Sequence, residues 1–406
     1  MSVTKVSNDN ILSMSAAKLT GVVPALDGSA LTGIVAGSEA MTGASDPANE
    51  TNPADGVGAL WINTTTGEMF ICVDATTDQN EWNNVGEGSG DITYVPFSYQ
   101  GTQYGYVVGG YSSGPTRYNT IERYSFTVPG SNAIDVGDLG FPPSGVCGAS
   151  SIDYGWRYGG NHIVNGTYTN ISEIEKFSFA SATTNAVNHA DLYNPLVAAA
   201  PANNEHYAYA LGGSDTNISP YTTSKVQKFP FASTTNSTFV GDMNWTGGVY
   251  QQCGWSSSSH GYSAAGYDYG APTTIVGVVE KFSFATDGNG TTISSLSNGR
   301  GYVTGTSSTT HGYIHGGFGV GWPVLASIDK YNFSSETEST GIGNLTTTLR
   351  DNSGQSSTTH GYSSGGDTAG QQDTIQRYSF ISDGHAVDNG GNLSGPRRDA
   401  SSGIQI

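Results

Sequence analysis

The last glycine of each glycine doublet, which is Ala-Gly in the fourth copy, falls at Gly110, Gly160, Gly213, Gly266, Gly317 and Gly366, at spacings of 50, 53, 53, 51 and 49 residues. Six residues before each lie Tyr104, Tyr154, Tyr207, His260, His311 and His360, and two residues after those come Tyr106, Trp156, Tyr209, Tyr262, Tyr313 and Tyr362. A period of about 50 residues constrains the fold more than any local pattern, because each copy must be one supersecondary unit that buries its faces against its neighbours. It also disposes of a metal or catalytic reading of the heptads HGYSAAG, HGYIHGG and HGYSSGG. Their histidines share one structural column with tyrosines, and equivalent positions in a circular repeat point in different radial directions.

A second column follows each doublet: IERYSF (121–126), IEKFSF (174–179), VQKFPF (226–231), VEKFSF (279–284), IDKYNF (328–333) and IQRYSF (375–380). A β-branched first position with aromatics at the fourth and sixth is a strand signature. Its basic residues, Arg123, Lys176, Lys228, Lys281, Lys330 and Arg377, read as stems lying along a strand with heads at an edge, beside Glu122, Glu175, Gln227, Glu280, Asp329 and Gln376. A short turn leads to an outer strand ending at Leu139, Leu192, Met243, Leu296, Leu345 and Leu393. Runs of small residues such as GWSSSS (254–259) and GQSSTT (354–359) suit an innermost strand. Four short strands, six times, predict an all-β chain whose residues 91–406 form a six-bladed β-propeller. The tail RRDASSGIQI (397–406) matches the inner-strand segment LRDNSGQSST (349–358) and is expected to supply the missing inner strand of the first blade. ITYVPFSYQ (92–100) competes for that place.

Composition narrows the partners. The 57 Gly, 23 Tyr, 14 Phe and 6 Trp in 406 residues fit a turn-rich β protein. A formal net charge of −19, with 15 Lys plus Arg and no basic cluster, argues against nucleic acid. Cys72, Cys147 and Cys253 are odd in number and lack Cys-x-x-Cys spacing, so they read as buried thiols rather than a disulfide framework or zinc site. No signal-peptide core and no membrane-length apolar run is present, which leads to an expectation of synthesis in a host cytoplasm without membrane insertion.

Before the repeats, KLTGVVPALDGSALTGI (18–34) has almost no aromatics and reads as an extended arm, residues 1–40, that gains its core from a partner or from copies of itself. Residues 41–90 read as linker and a small β module, GALWINTTTGEMFICVDATTDQNEWNNVG (58–86). Its Trp61, Phe70 and Trp82 are expected to be the mini-core of so short a unit, with sugar stacking, of the kind found in the small chitin-binding modules it resembles, as the alternative.

The order of elements in 91–406 resembles the kelch family: a doublet closing the second strand, an aromatic third strand, a short fourth, then Arg300, Arg350 or Arg398 before the next blade. It departs from kelch in lacking the usual tryptophan after the third strand. The arm and the small module resemble tail-fibre segments of tailed bacteriophages of marine cyanophage type. That resemblance implies a virion protein whose N-terminal part docks to other virion proteins, as a homo-oligomer expected to be a trimer, and whose C-terminal part meets the host. Release by lysis agrees with the missing signal peptide.

No enzyme is expected. The Ser-x-Asp-x-Gly-x-Thr-Trp boxes of sialidases are missing, GGVYQQCGWS (247–256) is no nucleophile elbow, and no cofactor or metal is implied. Asp215, Asp268 and Asp367 near blade tips keep paired-carboxylate chemistry open. In a four-stranded antiparallel blade, the loop after the doublet and the connection to the next blade emerge on one side. That side would gather Tyr111, Tyr118, Tyr168, Tyr221, Tyr267, Tyr269, Phe318 and Trp322 with Trp245, Arg300, Arg350 and Arg397. Rings for stacking and arginines for carboxylate or sulfate groups suit a host surface glycan. A host protein, or a purely structural decoration or baseplate role, is the alternative.

Overall fold

The computed structural model describes residues 40–406 apart from 87, 94–96, 114–115, 165, 182, 216–221, 246–247 and 269–273, and gives Val164 by its backbone alone. Every helix or strand among them is a β-strand, so the protein is all-β. The chain divides into two compact units after residue 96. The predicted arm over residues 1–40 lies, but for its last residue, outside the described residues.

The first unit is one sheet of four strands in chain order, Met41–Gly43, Leu60–Asn63, Met69–Asp74 and Glu81–Asn84, with the first pair parallel and the rest antiparallel. Period-two alternation sends Phe70 and Cys72 inward. With Ala59 and Trp82 they form the core, and Trp61 packs edge-on against Trp82 at 6.5 Å. The predicted mini-core is therefore present, and the buried Phe70 and Trp82 offer no face to a sugar. The hairpin turn is held by Asn63, whose Oδ1 accepts from the Thr65 and Thr66 amides at 2.9 and 3.2 Å.

Among the described residues the second unit is built on six antiparallel sheets of three or four strands, each in chain order, with three two-stranded ribbons beside them. The first has three strands, Tyr104–Val108, Thr120–Ser125 and Ile134–Asp138; the other five have four, opening at Cys147–Ser150, Ala200–Asn203, Cys253–Ser256, Thr304–Ser307 and Ser353–Ser356. We refer to them as repeats 1 to 6. In all six the strand carrying the IERYSF-type motif shows the same burial, with its second and third residues both buried. Neighbouring repeats cover both faces of the strand, so adjacent residues are buried on opposite sides: Ile174 packs with Phe229 of repeat 3, and Glu175 accepts from the Gly140 amide on the repeat 1 side at 2.8 Å. A register shift with the outer strand occurs at this point in every repeat. The carboxylates and amides expected beside the basic column are thus buried. The lysines instead reach the following repeat: Lys228 pairs with Asp287 at 2.9 Å, Lys330 with Asp383 at 3.0 Å, and Lys281 with Glu336.

Small residues line the innermost strands because these strands abut one another. A Cβ on Gly254 would stand 1.9 Å from the Pro201 carbonyl oxygen, and one on Gly354 would stand 2.4 Å from that of Gly305. The competition for the first repeat's inner edge is won by the tail. Tyr106 donates its amide to the Ile404 carbonyl at 2.9 Å, Ile406 to Tyr104 at 2.9 Å and Ser401 to Val108 at 3.0 Å. Ile404 is fully buried with Tyr106 and Phe177. The rival segment ends beside repeat 6, where the Gly101 amide meets the Ser356 carbonyl at 2.8 Å.

The three histidines are corners. Each opens a second strand and sits with Nδ1 2.8 Å from the hydroxyl of the residue before it, Ser259, Thr310 or Thr359. Burial, then the neighbouring Lys281, Lys330 or Arg377, lowers the pKa of each ring. In repeats 1 to 3 the same corner is a tyrosine under a cation, with Arg123 over Tyr104 and Lys176 over Tyr154, both at 4.5 Å, and Lys228 over Tyr207 at 4.0 Å.

Candidate binding face

Each doublet turns the chain through two left-handed residues, at Gly109 and Gly110 with φ of 71° and 92°. The residue after it then bridges to the connection entering an inner strand. These pairs are Tyr111 with Arg398, Asn161 with Ser144, Ser214 with Val197, Tyr267 with Tyr250, Phe318 with Gly301, and Asp367 with Arg350. The two sets of loops therefore share one side.

The next residue of each connection is also left-handed: Gly145, Ala198, Gln251, Tyr302, Asp351 and Asp399, with φ between 53° and 63°. Their backbones are linked head to tail. Ala198 donates to Gly145, Gln251 to Ala198, Tyr302 to Gln251, Asp351 to Tyr302, Asp399 to Asp351, and Gly145 back to Asp399, at 2.8 to 3.1 Å. Six equivalent amides thus form a closed cycle of hydrogen bonds. Left-handed φ disfavours side chains, yet five of the six carry one.

Around this cycle the rings join into a run. Tyr250 meets Tyr267 at 5.4 Å and Tyr302 at 6.1 Å, Tyr267 meets Trp322 at 5.4 Å, and Phe318 meets Tyr302 at 5.5 Å and Trp322 at 5.6 Å. Trp322, left-handed in its own loop at φ 71°, is 51% exposed. Arg350 continues the run by lying over Phe318 at 4.8 Å, and Arg398 lies over Tyr111 at 4.8 Å. Both arginines bind Asp367, at 2.7 and 2.5 Å, and both approach Asp351, at 3.3 and 3.6 Å. Asp351 also meets the Asp399 carboxyl. Burial first, then this neighbour, raises the pKa of Asp351 well above the usual range, and burial raises that of Asp399.

Of the twelve residues expected on this face, Tyr267, Phe318, Trp322 and Arg350 meet in the run, and Tyr111 adjoins it through Arg398. Tyr168 is 69% exposed beside Arg117 at 5.3 Å, and half-buried Trp245 donates Nε1 to Asp268 at 3.1 Å. Tyr221 and Tyr269 lie outside the described residues. Arg300 and Arg397 are corrected. They are 0% and 1% exposed and pair inside the protein with Asp329, at 2.8 Å, and with Glu122. Tyr118 covers Arg397, its ring 4.0 Å from the guanidinium, and so belongs to that buried pair. Arg300 and Arg397 stand one residue before Gly301 and Arg398, and successive extended residues face opposite ways.

Sequence reasoning missed Tyr250, Tyr302, Asp351, Asp399, Arg117 and Arg398 as face residues. The signal for all but Arg117, which lies in the loop after the first doublet, was the column just ahead of each inner strand. The three carboxylates left open for paired chemistry are engaged: Asp215 accepts from Asn194 at 3.2 Å, Asp268 from Trp245, and Asp367 from two arginines. Among the described residues no group of three or more His, Cys, Asp or Glu is placed to hold a metal ion. No protein-family model matches the chain, and no curated protein is significantly similar to it.

Proposed function

We propose that residues 97–406 are a six-bladed, kelch-like propeller serving as the receptor-binding part of a phage virion protein, and that this face takes up a glycan of the host surface. The propeller reading is supported by six sheets of one pattern, by the abutting inner strands and by the cycle of six amides. The virion reading, with its N-terminal attachment to other virion proteins and its trimer, is supported by the resemblance of the arm and small module. The observation that carries the glycan reading is Trp322. A tryptophan half open to solvent in a strained loop, with the rings of Tyr267 and Phe318 set against it at steep angles, gives an exposed apolar face beside hydrogen-bonding arginines and carboxylates. Binding rather than catalysis is the proposed role.

Replacing Trp322 and Tyr267 together with alanine is expected to weaken adhesion to host cells, or to their isolated surface polysaccharide, by ~2 kcal/mol or more, the scale of interface hot spots. The melting temperature should hold. A double variant that adheres as well as the parent would overturn the reading and favour a decoration whose propeller contacts virion proteins only.

A further inference from the structure

We infer that Arg117 anchors an acidic substituent of the bound sugar, a carboxylate or a sulfate, in the cavity between repeats 1 and 2. This rests on the glycan reading above. The guanidinium lies between the rings of Tyr111, at 5.6 Å, and Tyr168, at 5.3 Å. Its Nη1 makes all its hydrogen bonds, to Ser144 Oγ at 2.6 Å, the Asn161 carbonyl at 3.1 Å and Asn161 Oδ1 at 3.2 Å. These acceptors are neutral, so they fix the side chain without cancelling its charge. Arg350 and Arg398 share Asp351 and Asp367; Arg117 alone of the arginines on this face has no carboxylate partner among the described residues. Its Nε and Nη2 keep the paired donor geometry that suits carboxylate and sulfate oxygens.

The cavity beside it measures about 110 Å³ and is bordered by Ser144, Gly145, Asn161, Val197, Gln251 and Asp399 as well as the two tyrosines. Small side chains in repeats 2 and 3 leave that room. Sites for whole small molecules start near ~300 Å³, so this one fits a single substituent, with the sugar ring lying on exposed Tyr168. Among the described residues the only acid lining it is Asp399, whose pKa is raised by burial.

The test is calorimetric titration of the full chain with three tetrasaccharides, from alginate (carboxylate), carrageenan (sulfate) and agarose (neutral). Arg117→Ala should weaken binding of at least one charged probe by roughly 10-fold or more, the scale of a hydrogen bond to a charged group, and leave the agarose probe within about 2-fold. Which charged probe suffers tells carboxylate from sulfate. Arg117→Lys, which keeps the charge and loses the fork, should recover part of the loss. Equal effects of Arg117→Ala on charged and neutral probes, or none, overturn the anion pocket alone and leave the exposed apolar face standing. A parent chain that binds none of the three overturns both.

Discussion

Repeats 2 and 3 and repeats 4, 5, 6 and 1 build the same corner from different side chains. On the plain side, the two bridging positions and the left-handed position carry Ser144, Asn161 and Gly145, then Val197, Ser214 and Ala198. On the dressed side they carry Tyr250, Tyr267 and Gln251, then Gly301, Phe318 and Tyr302, then Arg350, Asp367 and Asp351, then Arg398, Tyr111 and Asp399. The cycle of six amides runs unbroken through both. The backbone therefore needs none of the rings or charges, and Gly145 shows the least strained solution. A large side chain at left-handed φ costs on the order of 1 kcal/mol, so rings and charges concentrated on one side speak for contact with something outside the fold.

The sharpest contrast lies one residue earlier, where Pro143, Leu196, Val249, Arg300, Leu349 and Arg397 point inward. In repeats 1, 3, 5 and 6 this variation is matched by the buried position of the strand that follows, whereas Val249 precedes the buried Glu280. Arg397 meets Glu122 and Arg300 meets Asp329, whereas Leu349 and Leu196 precede Gln376 and Gln227, whose amides bond Thr346 and Asn194. Glu175, behind Pro143, takes its cation from Arg157 instead. Arg397→Ala would strand Glu122 and is expected to cost ~3 to 5 kcal/mol in chemical denaturation. Combining Arg397→Leu with Glu122→Gln copies repeat 6 and should restore most of that. Failure of the double variant would break the claim that the inward column serves stability alone.

A smaller effect is expected on the dressed side from Asp399→Asn. Asp351 and Asp399, facing Arg350, Arg398, Asp367, Tyr111 and Gln251, take up protons on folding, because their folded pKa values lie above the ordinary one near ~4. Their contribution is most favourable below that pH and declines as pH rises through the raised values. Asparagine tolerates left-handed φ and donates to Asp351. The variant should gain on the order of 1 kcal/mol near pH 7 and lose that advantage toward pH 4. Thermal melts across this range check it, and a gain that grows on acidification would reverse the assignment.

The smallest effect is expected where the plain side borrows from the dressed. Ala198→Gln reproduces Gln251 in the neighbouring repeat and should change stability by no more than ~0.5 kcal/mol. A loss several times larger would mean that repeat 3 is plain by necessity.

The all-β class and its repeated sheets were legible because their period was: both columns, the small inner strands and the tail follow from spacing and residue size. The face was legible only in part. Trp322 and Tyr267 stood out as large rings in Gly-containing or Pro-containing loops, but Arg300, Arg350 and Arg398 look alike in a chain whose connections vary in length. Arg300 lines up with Arg397, and Arg350 with Arg398. A one-residue slip in an extended segment exchanges inside for outside, and no spacing rule reveals it. The carboxyl pair was invisible for another reason, since Asp351 and Asp399 are neighbours only through the closed cycle.

Repeat 1 obtains its inner strand from residues 401–406, and Val108 waits 293 positions along the chain for its Ser401 partner. At about 5 to 20 residues per second of synthesis, roughly 15 to 60 s separate the two on the ribosome. Throughout that interval Tyr104–Val108 offers an open edge to anything extended nearby, including the finished tail of a chain one ribosome ahead. Crowded polysomes would then favour exchange of tails between sister chains, and the yield of correctly assembled protein would depend on how closely the ribosomes follow one another.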